Sequence, residues 1–190
     1  MADFNHNVWA PWRMEYIRSL EEQCQTQGCF LCHYWEHPQQ DRTNHVLWRS
    51  GEILVVLNRF PYTNGHLLIA PGGHLDGLTA LSDEQHLALS LALRDAIRVL
   101  TEAFKPQGFN VGYNIGKCAG AGLPGHVHAH VVPRWNADTN FMAVLGGVRV
   151  IPDALDQTYD HLARAAAKVG VAGVAGAASA ASGAGGATEP

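Results

Sequence analysis

Apolar and polar residues are distributed along the chain in two distinct periods, and the elements follow from them. Glu52-Ile53-Leu54-Val55-Val56-Leu57-Asn58 is a short, continuous apolar run, the pattern of a buried strand. Pro61-Tyr62-Thr63-Asn64-Gly65 carries Pro and Asn-Gly turn signals, and His66-Leu67-Leu68-Ile69-Ala70-Pro71 is a second such run. The pair predicts an antiparallel hairpin with an extended connection, stopped by Pro71-Gly72-Gly73. A long helix is predicted from Asp83 to Phe104, before Pro106. Ser82 and Gln85 form its capping box, and Leu87, Leu91, Ala96, Ile97 and Leu100 supply helical apolar positions. Phe109 to Ile115 alternates like a strand, a Gly-rich loop spans Gly116 to Gly125, and Asp153 to Val169 reads as a helix. The clearest alternation is Gly125-His126-Val127-His128-Ala129-His130-Val131-Val132-Pro133-Arg134-Trp135, which places three imidazoles on one face of an extended segment.

Composition narrows the class. The 190 residues are 47% hydrophobic, enough for one packed domain and a tail. The formal net charge of −4, from 13 basic and 17 acidic residues without a basic block, argues against a nucleic-acid partner. The N-terminus lacks the pattern of a signal peptide, and no run approaches the roughly 20 apolar residues of a membrane span. A soluble cytoplasmic protein is therefore expected. Residues 1–23, with Trp9, Trp12 and Tyr16, are read as a docking segment, residues 24–169 as the domain, and the Ala/Gly-rich residues 170–190 as a disordered tail.

Candidate chemistry gathers around histidine and cysteine. Same-face neighbours on a strand lie roughly 6.6 Å apart, so His126 and His130 are roughly 13 Å apart at Cα. With metal–nitrogen bonds of about 2 Å, one ion cannot readily gather all three imidazoles, and at least one is left metal-free. Residues 24–37 read as a turn-rich knuckle around Cys29 and Cys32, a C-x-x-C pair that can give two thiolates to zinc. His74 and His126 are the first candidates to complete that site, with His33, His37 and His45 as competitors. Cys24 and Cys118 have no partner pattern, and His66, which opens a strand after the Asn-Gly turn, reads as a structural histidine bonded to backbone. With His126 drawn to a metal, His128 and His130 remain for catalysis. A neutral imidazole is a nucleophile near pH 7 and attacks acyl or phosphoryl centres. The loop before it, including Gly120 and Gly122, offers backbone N–H groups to phosphate oxygens. Together these features favour phosphoryl or nucleotidyl transfer.

Gly125 to Trp135 resembles the motif of the histidine triad family. The likeness extends to Trp9-Ala10-Pro11-Trp12-Arg13-Met14-Glu15-Tyr16 with Cys29-Phe30-Leu31-Cys32, to Leu57 to Leu68, to Gly108 to Asn114, and to Asp138-Thr139-Asn140-Phe141. These segments are similar to a bacterial branch that contains diadenosine tetraphosphate phosphorylases and hydrolases. The resemblance implies an α+β fold, an antiparallel sheet with a long packing helix and a C-terminal helix, paired as a homodimer through the helix and a strand. It implies dinucleoside polyphosphate substrates split at the α-phosphate, with water or phosphate as acceptor. His128 matches the nucleophile and His130 a phosphate-holding residue. Asn58 falls in the nucleoside pocket, and Asn114 lies near the phosphates. Cys29, Cys32, His74 and His126 match the zinc ligands of zinc-bearing members. The family's loop often carries Ser, Thr or Gln where this chain has Ala121, Gly122 and Leu123, so backbone donors or Lys117 would hold the leaving phosphate. The same residues could serve a nucleoside phosphoramidase. Two further rivals are a zinc hydrolase or lyase with His126 and His128 as ligands, and a non-catalytic nucleotide sensor.

Overall fold

The computed structural model describes residues 28–138 and 153–174. The aromatic N-terminal segment, Cys24, Thr139-Asn140-Phe141 and the tail beyond Val174 lie outside them. Five strands form one antiparallel sheet: β1 (Val46–Ser50), β2 (Ile53–Leu57), β3 (Leu67–Pro71), β4 (Gly108–Tyr113) and β5 (Ala129–Arg134), ordered β1-β2-β3-β5-β4. Among the described residues three α-helices accompany it: α1 (Phe30–Glu36), α2 (Asp83–Phe104) and α3 (Leu155–Lys168). This is the α+β arrangement expected, with the long helix in the predicted place. None of the described helices is long and apolar enough to cross a membrane.

The continuous apolar runs are explained by what covers the sheet. Ile53, Val55, Leu57, Leu67, Ile69, Ala129 and Val131 face α2 and α3, packing on Leu89, Ala96, Val99, Leu100 and Leu162. Leu54, Val56, Leu68 and Ala70 point to the opposite face and pack on Leu31 and Tyr34 of α1. Both faces of β2 and β3 are thus dry, and alternation disappears from their sequence. The capping box holds as read. Ser82 Oγ accepts from the Gln85 N–H at 3.3 Å, and Gln85 Oε1 accepts from the Ser82 N–H at 3.0 Å.

Two elements differ from expectation. The cysteine knuckle is not all turn, since Cys29 caps α1 and Cys32 lies within it. Residues 46–50, not expected as a strand, form β1 on the sheet margin. Arg49 of β1 ties α1 down: its guanidinium takes both oxygens of Asp41 at 2.6 and 3.0 Å and donates to the carbonyls of Tyr34 and Trp35. The first residues after α3 reach the same strand, where the Arg49 N–H donates to Gly173 O and Trp48 bridges to Val174.

Candidate active site

The histidine row is extended, but only His130 belongs to a paired strand. β5 begins at Ala129, which faces Ile69 on β3 and Tyr113 on β4. Beyond those partners β3 turns away at Gly72-Gly73, and the Val127 N–H bonds to Leu75 O instead. Val127 and Ala129 point into the core under α2. The intervening imidazoles of His128 and His130 stand on the other face of the sheet, edge to face, with ring centroids 4.9 Å apart.

Hydrogen bonds fix the proton on each ring. His126 Nε2 is 2.9 Å from Pro71 O, so it carries the proton and leaves Nδ1 as a lone pair. His128 Nδ1 is 2.8 Å from the His126 carbonyl, so Nδ1–H donates there and Nε2 is the free lone pair. His66 Nδ1 accepts from the Tyr62 N–H at 3.1 Å, so its Nε2–H donates to His130 Nδ1 at 3.0 Å. His130 is left with an Nε2–H, 3.4 Å from the carboxamide of Asn114. Burial favours the neutral ring at His126, His128 and His130. Desolvation holds His128 below the ordinary imidazole range, opposed by its bond to the His126 carbonyl. Desolvation, with His128 alongside, lowers His130 to about 4. A neutral nucleophilic nitrogen therefore stands next to a neutral N–H donor, both set by carbonyl and imidazole partners rather than by a carboxylate.

His66 is the participant that sequence reasoning read as structural. It is wholly buried and makes that backbone bond, but its other nitrogen holds His130. Its spacing from the triad gave no signal, because β3 brings it to β5 only through register, Leu67 opposite Val131. Tyr62 covers the pair, tilted on His66 at 4.6 Å and parallel to His130 at 5.9 Å. Asn58 lies at the same corner. Its Oδ1 accepts from the Phe60 N–H at 3.0 Å, and its amide nitrogen is 3.2 Å from His66 Nδ1. In the Gly-rich loop the Gly120 N–H bonds to Lys117 O and the Ala121 N–H to Gly116 O. Gly120's donor is therefore spent within the loop. Arg134 pairs with Asp138 through two bonds of 2.6 and 2.7 Å and also reaches Asn110.

A second cluster lies beside the first. Cys29, Cys32, His74 and His126 bring one ligand atom each within 4.8 Å of one another. The His126 Nδ1 lone pair is 3.2 Å from Cys29 Sγ and 3.5 Å from Cys32 Sγ, and His74 Nδ1 is 3.4 Å from Cys32 Sγ. A tetrahedral metal with bonds of about 2.3 Å to sulfur and 2.0–2.1 Å to nitrogen has S···N edges of about 3.5 Å. The three S···N separations of 3.2–3.5 Å lie close to that edge, and all four ligand atoms fall within 4.8 Å of one another. Burial pushes the Cys29 thiol up to about 12. A divalent cation would supply the charge that stabilises a thiolate there. The Pro71 carbonyl on His126 Nε2 holds that ring in the orientation a metal ligand would need. Of the competitors, His45 pairs with Asp156 at 2.9 Å, and His33 and His37 stack on one another at 4.2 Å. His128 is not among the converging groups.

Comparison with known proteins agrees with this arrangement. The HIT domain family matches residues 39–137. An AP-4-A phosphorylase of Mycobacterium tuberculosis is 37% identical over 164 residues, covering 85% of this chain and 84% of the relative. A bis(5'-nucleosyl)-tetraphosphatase (asymmetrical) of Schizosaccharomyces pombe is 30% identical, covering 50% of this chain and 52% of that protein. The crystal structure of a Zn-bound histidine triad family protein from Mycobacterium smegmatis superposes with a TM-score of 0.59 at 27% identity, covering 73% of this chain and 94% of that one. With the triad, the sheet and these matches in hand, the chain belongs to the HIT domain family.

Proposed function

We propose that this protein is an enzyme that splits a dinucleoside polyphosphate of the diadenosine tetraphosphate kind by transferring a nucleotidyl group through His128. The observation that carries the reading is the 2.8 Å bond from His128 Nδ1–H to the His126 carbonyl, which leaves Nε2 as the nucleophile. In the first step Nε2 bonds to the α-phosphorus, the bond from that phosphorus to the bridging oxygen breaks, and a nucleoside triphosphate departs. The ring becomes cationic, and the His126 carbonyl is placed to stabilise it. In the second step an acceptor oxygen takes the phosphorus and the His128 lone pair is restored. The His130 Nε2–H faces the open side of the sheet beside Asn114, where it would donate to the phosphate oxygens as charge builds. Asn58 would line the nucleoside side. The 37% identity to an AP-4-A phosphorylase over most of both chains favours phosphate over water as acceptor.

Cys29, Cys32, His74 and His126 would hold a zinc ion. A zinc ion there supplies cross-linking of α1 to the approach of β5, without a part in the reaction. Two copies would pair through the solvent-facing side of α2, where Leu87 is 61% exposed, and the free margin of β4, where Val111 is 43% exposed. Incubation with diadenosine tetraphosphate, with and without phosphate, tests the acceptor. ADP that forms only with phosphate supports phosphorolysis, and AMP formed without phosphate supports hydrolysis. Absence of turnover under both conditions would remove the reading.

A further inference from the structure

α3 lies beyond the segment matched by the HIT domain family, residues 39–137, yet it reaches the turn that carries the catalytic corner. Thr158, only 1% exposed, donates its hydroxyl to Asn64 Oδ1 at 3.0 Å, with the Asp153 carboxylate 3.4 Å from the Thr158 Oγ1. Asn64 sits in the turn between β2 and β3. That turn is pinned on its other side by Thr63, whose hydroxyl donates to Pro133 O on β5 at 2.9 Å. Within it, Tyr62 gives its N–H to His66 and lays its ring over His66 and His130. The turn also has no slack. Gly65 holds a φ of +78°, and a Cβ there would come within 3.1 Å of Leu100 and Phe104 of α2. The same end of α3 grips the base of β2. Asp156 bonds to His45 at 2.9 Å, and His45 O accepts the Leu57 N–H.

We infer that Thr158 is a positioning residue: by holding Asn64 it keeps the 61–65 turn, and with it Tyr62 and His66, seated against His130. The inference rests on the reading of the triad corner as the reaction site. α3 is then a brace for that corner as well as part of the core. A hydroxyl bonded to a half-buried turn contributes little affinity for substrate but fixes the orientation of groups two steps away, so its loss acts on kcat rather than on KM.

The test compares Thr158→Val, Thr158→Ser and Asn64→Ala with wild type, using diadenosine tetraphosphate and inorganic phosphate. Arg42→Ala is the control, because it removes the surface ion pair of Arg42 with Asp160 of α3 and leaves Asn64 alone. Thr158→Val should lower kcat about tenfold with KM nearly unchanged, and Thr158→Ser should restore it. Arg42→Ala should keep wild-type kcat. Hydrogen exchange at the Tyr62 amide should accelerate in Thr158→Val, a readout that holds whatever the substrate proves to be. Wild-type kcat and Tyr62 protection in Thr158→Val would overturn the inference, as would an equal loss in Arg42→Ala. Where Thr158→Val does not fold, Asn64→Ala decides from the turn side, by the same loss or retention of kcat. Inactive wild-type enzyme with normal Tyr62 protection that is lost in Thr158→Val would sink the functional reading and leave the brace standing.

Discussion

Gly125→Ala should strip the metal site of one ligand without unfolding the domain. A Cβ built on Gly125 would sit 2.8 Å from His74 Nε2. Ordinary contact begins near 3.5 Å, so the ring must retreat by about 0.7 Å. Metal–ligand distances tolerate only about 0.2 Å, so His74 cannot stay bound. His74 is exposed and free to swing outward, so the metal-free protein loses little. Metal affinity should fall at least about tenfold to a hundredfold, the range for disturbed ligand support. Competition against a fluorescent zinc chelator gives the affinity, and thermal melts with and without EDTA give the coupling. The variant should melt below wild type with zinc and together with it in EDTA. Wild-type zinc affinity in Gly125→Ala would refute the ligand assignment of His74.

Three other outcomes follow from the same geometry. His66→Phe keeps ring volume but leaves the Tyr62 N–H and His130 Nδ1 without partners. It should cost about 1–3 kcal/mol in urea denaturation and about a hundredfold in kcat; unchanged values would remove His66 from the site. His130 sits at about 4, so protonation, which abolishes its acceptance of the His66 proton, sets in only as pH falls toward that value. Imidazole NMR should find it neutral at about pH 5, and a midpoint in the ordinary range near 6.5 would contradict its buried setting. Arg49→Ala leaves the Asp41 carboxylate and the Trp35 carbonyl without the guanidinium, while Tyr34 O keeps the His37 N–H, and should destabilise the domain by about 3–5 kcal/mol in urea melts; a loss below about 1 kcal/mol would show the clamp to be idle.

How much of this was legible in the chain depends on the range of the interactions. α2 announced itself through its capping box and apolar spacing, and β2 and β3 through apolar runs bracketed by turn residues. The convergence of Cys29, Cys32, His74 and His126 was legible because a C-x-x-C pair reads as half of a metal site and calls for two more ligands. β1 was not, because Trp48-Arg49-Ser50 mixes core and clamp residues in too short a run. α1 was read as turn because seven residues give little helical signal around a C-x-x-C. The role of His66, and the reach of Thr158 to Asn64 across 94 positions, depend on register and docking, which no local pattern records.

The central claim is that His128 Nε2 forms a covalent bond to the α-phosphorus. Mixing the protein with diadenosine tetraphosphate in the absence of phosphate, quenching in base and mapping peptides by mass spectrometry tests it directly. A nucleoside monophosphate on the peptide bearing His128, labile to acid and absent from His128→Ala, is the expected result. An adduct on another residue, or turnover retained by His128→Ala, would contradict the account.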